Sequence, residues 1–160
     1  SGGRTRLINV DIVGNYETGI VGGGSGRLNL VNSRVVDNGW EGVEVLGGFL
    51  AVINSDIVDN EVGIDATMGN ITLEEAYIVE NRGAGVVGNL HTAIVASGPV
   101  TIERNGEHGV QLMLDSGFLT RGDVSINDNA WYDVACIDRE SSARFEDAYP
   151  GRVWCTGFRW

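Results

Sequence analysis

The side chains best suited to chemistry in this sequence are carboxylates at matched positions. Glu44 and Asp65 each stand two residues after the glycine of a recurring motif, with Glu41 and Glu61 close by in the chain. If successive repeats stack as neighbouring strands, the first two carboxylates lie about 5 Å apart. Oxygen ligands at that spacing could bind Ca²⁺, or act as acid and base in glycoside hydrolysis. An ordinary solvated acidic face fits the same pattern.

Two tryptophans and one histidine are further candidates. Trp40 and Trp131 both come two residues after a recurring asparagine. Exposed tryptophans stack against sugar rings, although packing against a neighbouring loop is the alternative. His108 is expected to lie at the surface, with proton transfer as its other possible role. The residues predicted to contact a ligand are Trp40, Glu41, Glu44, Asp65, Gln111 and Trp131.

These candidates take their positions from a repeat of 21 to 24 residues. Each copy has an aliphatic residue, an asparagine three places later and a Gly–aliphatic pair about four places after that. The asparagines are Asn15, Asn38, Asn60, Asn81, Asn105 and Asn129. The pairs are Gly19-Ile20, Gly42-Val43, Gly63-Ile64, Gly85-Val86 and Gly109-Val110, with Asp133-Val134 a degraded sixth.

Alternation of residue types within each copy predicts three short strands. The position three before each asparagine is always β-branched, and its neighbours alternate between apolar and polar, which is typical of half-buried strands. No helical period persists. In the last two repeats, Val95 and Leu119 are expected to take the core position of the third strand. Stacked coils would then align identical aliphatic residues into a core, and the asparagines into a structural row at a corner.

This set of features resembles the right-handed parallel β-helix family, the pectate-lyase-like solenoids with inward asparagine ladders. The resemblance covers about residues 5–138 and implies an all-β fold with about six coils of three short strands. Members of that family include polysaccharide lyases, hydrolases, epimerases and adhesins, so the fold leaves the function open.

The two ends of the chain differ from the repeats. Residues 1–4 are interpreted as an expression-tag remnant or linker, and the first coil starts near Leu7 without a cap, which predicts end-to-end self-association. Residues 139–160 are interpreted as a C-terminal cap. The aromatic residues expected to cover the last coil are Phe145, Trp154, Phe158 and Trp160.

The catalytic motifs implied by the resemblance are missing from this chain. A lyase of that family needs a calcium-binding carboxylate cluster and a basic residue, but the chain has no lysine and no arginine in the outward row that holds Glu44. The segment Gly106-Glu107-His108-Gly109 is only weakly similar to the Gly-His-Gly of polygalacturonases, and it lacks the partner motifs.

The composition of the chain limits the classes of partner that it is expected to bind. With 22 acidic residues against 11 arginines, the net charge is −11, which argues against nucleic acid and anionic membranes as partners. No apolar run approaches the ~18 residues of a membrane span. Cys136 and Cys155 are expected to form a disulfide, which implies an oxidising compartment; two buried free thiols are the alternative.

The sequence therefore predicts an extracellular, non-catalytic β-helix module with a structural, adhesive or glycan-binding role. One alternative is a lyase or hydrolase of acidic polysaccharides that uses Glu44, Asp65, Glu41 and His108. Another is an excised or designed scaffold without a ligand. No cofactor is expected, other than a weakly supported Ca²⁺ at Glu44 and Asp65.

Overall fold

Short runs of alternating aliphatic residues form fifteen strands in the computed structural model, which describes residues 2–155. The strands are β1 (Arg4–Ile8), β2 (Asp11–Val13), β3 (Ile20–Gly23), β4 (Arg27–Val31), β5 (Arg34–Val36), β6 (Glu41–Val58), β7 (Val62–Val79), β8 (Val86–Asn89), β9 (Ala93–Glu103), β10 (Val110–Leu112), β11 (Gly117–Arg121), β12 (Val124–Asn127), β13 (Val134–Cys136), β14 (Ser142–Glu146) and β15 (Val153–Trp154). Those residues contain no helix. The predicted covering roles of Phe158 and Trp160 lie outside the described residues.

Every strand pairs in parallel with its equivalent one turn away, so the chain winds into a solenoid with three faces. Face 1 contains the strand that opens each turn, and Arg4 of β1 lies opposite Arg27 of β4. Face 2 leads to the recurring asparagine. Face 3 follows the Gly–aliphatic pair, and Val43 lies opposite Ile64. The predicted all-β parallel solenoid is confirmed.

Strands β6 and β7 continue around corners instead of stopping at them. Each is 18 residues long and contributes to all three faces. Their corners are only one or two residues, which turn the chain through left-handed backbone angles at Gly47, Gly48 and Asn54 in β6. The predicted three segments per coil are therefore present, but in these coils they merge into one strand.

The solenoid has about seven turns instead of the six predicted. The additional turn comes from the segment after residue 139, where the asparagine motif no longer occurs. There β14 pairs with β11 on face 1, and β15 pairs with β13 on face 3. Phe145 is buried against the ring of Phe118 one turn earlier, with ring centroids 6.3 Å apart. End-to-end association through the first coil stays a prediction.

The core is built from the aliphatic rows that the repeat predicts. Val35, Ile57, Ile78, Ile102 and Ile126 are buried on face 2. On face 3 the buried row is Val43, Ile64, Val86, Val110 and Val134.

The prediction for face 1 of the last two repeats was wrong. Ile94 and Phe118 are buried there, while Val95 and Leu119 point outward and are partly exposed. The error arises at the next corner. Opposite the single residue between Glu74 and Ala76 of β7, strand β9 has one extra residue. Face 1 positions counted backward from the asparagine are therefore shifted by one.

The six asparagines form the predicted ladder along the corner between faces 2 and 3. The side-chain amide of Asn38 donates to Oδ1 of Asn60 at 2.8 Å, and its backbone N–H donates to the same oxygen at 3.0 Å. The same pair of bonds links each asparagine to the next one up to Asn129. The left-handed backbone angle at this corner falls on the residue before the asparagine, such as Asp37 and Asp59.

The ladder and the backbone of the next turn explain why a glycine follows three or four residues after the asparagine. A Cβ at Gly63 would come within 3.0 Å of Nδ2 of Asn81 in the next turn, and one at Gly109 within 2.6 Å of Nδ2 of Asn129. In the last copy Asp133 replaces that glycine. Its Oδ1 accepts the side-chain amide of Asn129 at 2.9 Å, where another asparagine would otherwise stand.

Two shorter hydroxyl ladders reinforce the other corners. Backbone N–H groups of Val10 and Ser33 donate to the hydroxyls of Ser33 and Ser55 in the next turn, each at 3.1 Å. At the corner between faces 3 and 1, the equivalent series runs through Thr92, Ser116 and Ser141.

The disulfide between Cys136 and Cys155 is confirmed, with Cα atoms 4.7 Å apart. It connects two turns of face 3 over a sequence separation of 19 residues. By the loop-entropy relation such a link contributes about 3 kcal/mol to the free energy of unfolding.

Candidate functional site

Face 3 brings the predicted carboxylates together. Glu44 and Asp65 are register partners on adjacent turns, and Glu41 is close enough to influence Asp65 electrostatically. We call these three residues the carboxylate cluster. Glu61 faces Arg82 instead, with Nε and Oε2 3.4 Å apart.

Asp65 holds a proton more tightly than an ordinary aspartate does. Burial, together with the negative charges of Glu41 and Glu44, raises the pKa of Asp65 from 3.8 to about 6. Among residues 2–155, however, no group of three or more His, Cys, Asp and Glu side chains is arranged to hold a metal ion.

The two tryptophans singled out in the sequence are exposed but far apart. Trp40 and Trp131 have 54% and 56% of their surface accessible. They occupy equivalent corner positions four turns apart, which corresponds to roughly 19 Å along the solenoid axis. Gln111 lies on face 3 two turns beyond Asp65, through Val87. The predicted ligand-binding residues therefore do not form one site.

The prediction that His108 lies at the surface was wrong, because only 5% of this residue is exposed. Its ring packs edge-on against Trp131 at 5.3 Å between centroids and stacks on Tyr132 at 5.8 Å. Tyr132 in turn stacks on Trp154 at 5.9 Å. We call His108, Trp131, Tyr132 and Trp154 the aromatic cluster. His108 and Tyr132 share one repeat position, three residues after their asparagines, but Trp131 and Trp154 do not, so the repeat does not mark the whole cluster.

Face 1 carries a group of residues that sequence reasoning did not single out. Arg4, Arg6 and Arg27 are exposed on its outer side in the first two turns. Arg4 and Arg27 are register partners, and we call the three residues the arginine patch. Arg4 and Arg27 are one repeat apart, which is a signal in the sequence, but the residue type does not recur in the later turns and so forms no row.

The arginine patch has no acidic partner within residues 2–155, unlike five other arginines of the chain. Arg34, Arg82, Arg104, Arg121 and Arg144 each lie within 4 Å of a carboxylate. The patch forms no such pair.

Neutral polar and aromatic side chains continue the patch along face 1. The guanidinium of Arg27 lies 4.9 Å from the ring centroid of Phe49, its register partner in the next turn. Asn29, the register partner of Arg6, has a buried amide oxygen with no hydrogen-bond donor. Buried polar atoms without partners are rare in folded proteins.

Comparison of the chain with models of protein families, with curated proteins and with solved structures finds no match. The fold and the ladder define a parallel β-solenoid protein with internal asparagine, serine and threonine ladders. Within residues 2–155 no helix is long and apolar enough to cross a membrane.

Proposed function

We propose that this chain is a non-catalytic, extracellular module that binds an acidic polysaccharide on face 1. The observation that carries the proposal is the arginine patch, three guanidinium groups without ion-pair partners in a protein of net charge −11. The disulfide between Cys136 and Cys155 is consistent with a secreted protein.

The arrangement of the arginine patch is electrostatically unfavourable when no anion is bound. Arg4 and Arg27 are register partners, so their strands lie about 4.8 Å apart and the like charges repel each other. The repulsion disappears when an oxyanion binds between them. Guanidinium groups suit carboxylate and sulfate groups because they can donate two parallel hydrogen bonds to the same anion.

The surroundings of the patch favour a saccharide over a simple inorganic anion. Phe49 presents an aromatic ring that is 47% exposed, on which a sugar ring can stack. Asn70 and Thr72 continue the columns of Phe49 and Asn29 in the next turns and are both exposed.

Isothermal titration with pentagalacturonate tests the proposal, with cellopentaose as the uncharged comparison. We expect the acidic probe to bind with an affinity that falls as salt concentration rises, whereas any binding of cellopentaose should depend neither on salt nor on the arginine patch. Arg6→Gln and Arg27→Gln should each weaken binding about tenfold, equivalent to about 1.4 kcal/mol.

Arg121→Gln is the matched control. Arg121 also lies on the outer side of face 1, but its Nε is 3.5 Å from a carboxylate oxygen of Glu146. Its removal should leave the affinity unchanged. Failure of the acidic probe to bind, or an equal loss in Arg121→Gln, would contradict the proposal.

Hydrolysis of a polysaccharide is a second candidate function, favoured by the carboxylate cluster. Asp65, whose pKa is raised to about 6, lies beside Glu44, so one carboxyl group can be protonated while the other is ionised. Reducing-sugar and unsaturated-uronate assays on acidic polysaccharides test it. Turnover that is lost in both Glu44→Gln and Asp65→Asn would replace the non-catalytic proposal with this one.

A further inference from the structure

We propose that the aromatic cluster is a second, separate binding site, and that it takes an uncharged sugar ring. It lies at the other end of the solenoid from the arginine patch, at the corner that leads into face 3 of the last turns. The proposal does not depend on acidic-polysaccharide binding at face 1.

The rings of the cluster form a short continuous stack. His108 and Tyr132 are nearly parallel, with an interplanar angle of 19°, and Tyr132 and Trp154 are inclined by 27°. Trp131 stands at 80° to the imidazole and encloses the stack from the side. Each ring is held in place by its neighbours, so little side-chain freedom is left to lose when a ligand binds.

The cluster remains open to solvent although its members pack together. Trp131, Tyr132 and Trp154 are exposed to 56%, 40% and 49%. Large aromatic surfaces that stay accessible in this way are suited to the apolar faces of sugar rings, which stack on tryptophan and tyrosine.

His108 adds a polar atom at the base of the stack. Its Nδ1 accepts the backbone N–H of Tyr132 at 3.3 Å, so the neutral ring carries its proton on Nε2. Burial lowers the pKa of this imidazole, which keeps it neutral at physiological pH. Within residues 2–155, Nε2 has no hydrogen-bond partner. The fully buried side-chain atoms without partners are the amide oxygens of Asn29 and Asn89, so Nε2 keeps contact with solvent.

A free N–H donor beneath aromatic rings fits a hydroxyl-bearing ring better than an apolar protein surface. A second copy of this chain is disfavoured as the occupant, because each copy carries a net charge of −11 and Glu107 lies beside the cluster. An acidic sugar is disfavoured as well. The nearby Arg152 donates its guanidinium N–H groups to the backbone carbonyl oxygens of Asn129 and Ala130, and the carboxylate of Glu107 beside the cluster would repel an anion.

Titration with cellohexaose, xylohexaose and chitohexaose, followed by intrinsic tryptophan fluorescence and by calorimetry, tests the proposal. We expect at least one of these neutral probes to bind and to change the fluorescence. Trp131→Ala should weaken that binding at least tenfold. His108→Phe keeps a stacked ring but removes the donor, and should weaken binding about fivefold.

Trp40→Ala is the matched control, since Trp40 has the same repeat position and similar exposure but no aromatic neighbours among the described residues. It should bind like the wild type, and so should the double variant Arg6→Gln/Arg27→Gln. No binding of any neutral probe would overturn the proposal. Equal weakening in Trp40→Ala would overturn it too, as would a concentration-dependent dimer that Trp131→Ala abolishes.

Discussion

The two ends of the asparagine ladder differ in how their terminal hydrogen-bonding groups are satisfied. At the C-terminal end, the side-chain amide and the backbone N–H of Asn129 both donate to Oδ1 of Asp133. The second carboxylate oxygen accepts the backbone N–H of Arg152 at 2.5 Å, so Asp133 is fully bonded and 2% exposed. At the N-terminal end Asn15 is exposed, and its Oδ1 accepts no hydrogen bond from residues 2–155.

The difference shows that the ladder has a direction. Every asparagine donates toward the C-terminal end, so only that end needs a terminal acceptor. A carboxylate accepts hydrogen bonds and donates none, which suits this position better than another amide would. The opposite end finishes in a single acceptor that water can satisfy. A ladder built this way is sensitive at its centre and its C-terminal end, and tolerant at its N-terminal end.

The largest expected effect comes from a charge in the buried aliphatic row. Ile57→Asp places an unpaired carboxylate at a fully buried position, and it should lower the free energy of unfolding by more than about 4 kcal/mol. Ile12→Asp makes the same change in the first coil, where the residue is half-buried, and should cost roughly half as much. Chemical denaturation of both variants checks this. Melting of Ile57→Asp at the wild-type temperature would refute the stacking register.

Removing one asparagine from the middle of the ladder should have the next largest effect. Asn60→Ala leaves the backbone N–H and the side-chain amide of Asn38 without an acceptor in a buried corner. We expect a loss of about 4 kcal/mol, since each buried unsatisfied group costs about 1–3 kcal/mol. Asn15→Ala should cost less than about 1 kcal/mol because its site is exposed. Equal costs for the two variants would show that the ladder has no tolerant end.

A smaller effect is expected at the terminal carboxylate. Asp133→Ala removes the acceptor for three N–H groups, of Asn129 and Arg152, and should cost about 2–3 kcal/mol because the last turn can relax toward water. Asp133→Asn keeps one acceptor but places a donor opposite the backbone N–H of Arg152. The stability of Asp133→Asn should therefore lie between that of Asp133→Ala and that of the wild type. An Asn variant as stable as the wild type would contradict the requirement for a carboxylate.

The smallest effect on the free energy of unfolding is expected at Asp65, away from both ends of the ladder, and it is a stabilisation. The folded-state pKa of Asp65 is about 6 against 3.8 for an ordinary aspartate, so the folded protein binds more protons than the unfolded chain between those values. Stability therefore falls as pH rises through that window. Asp65→Asn removes this cost and should stabilise the protein by about 2 kcal/mol at pH 7.

The gain from Asp65→Asn should vanish near pH 4, where the wild-type side chain is also neutral. Thermal melts of both proteins between pH 4 and pH 7 measure it. His108 acts in the opposite sense, because its lowered pKa makes acidification destabilising. That contribution is common to both proteins and cancels in their difference. A gain that is constant across the pH range would rule out the electrostatic explanation.

Features that recur in every repeat could be predicted from the sequence, whereas of the features that occur once only the disulfide could. Asn60 and Ile57 stand in rows of six, so their stacking and burial follow from the period. Asp133 occurs only once, and in the sequence it looks like a copy of the motif without its glycine. Its role as the last acceptor arises only because no further asparagine of the ladder follows Asn129. Ser33 and Ser55 recur only twice, which is too few copies to mark a ladder.

The candidate sites show the same distinction between features that recur and features that occur once. The adjacency of Glu44 and Asp65 follows from their equal repeat positions. His108 and Tyr132 also share one repeat position, three residues after Asn105 and Asn129, so their contact follows from the period as well. Trp154 lies beyond the last asparagine motif, so its stacking on Tyr132 could be found only in three dimensions.

The direction of the ladder also gives the solenoid an electrical polarity along its axis. Backbone dipoles within strands alternate and largely cancel, but the six side-chain amides all point the same way. Amide dipoles of about 3.5 D then add in series, as they do in a helix, with the negative pole at the first turn. The arginine patch lies on that turn and the next one, and the carboxylate of Asp133 lies at the positive pole, so both sets of fixed charges oppose the dipole field of the stacked amides.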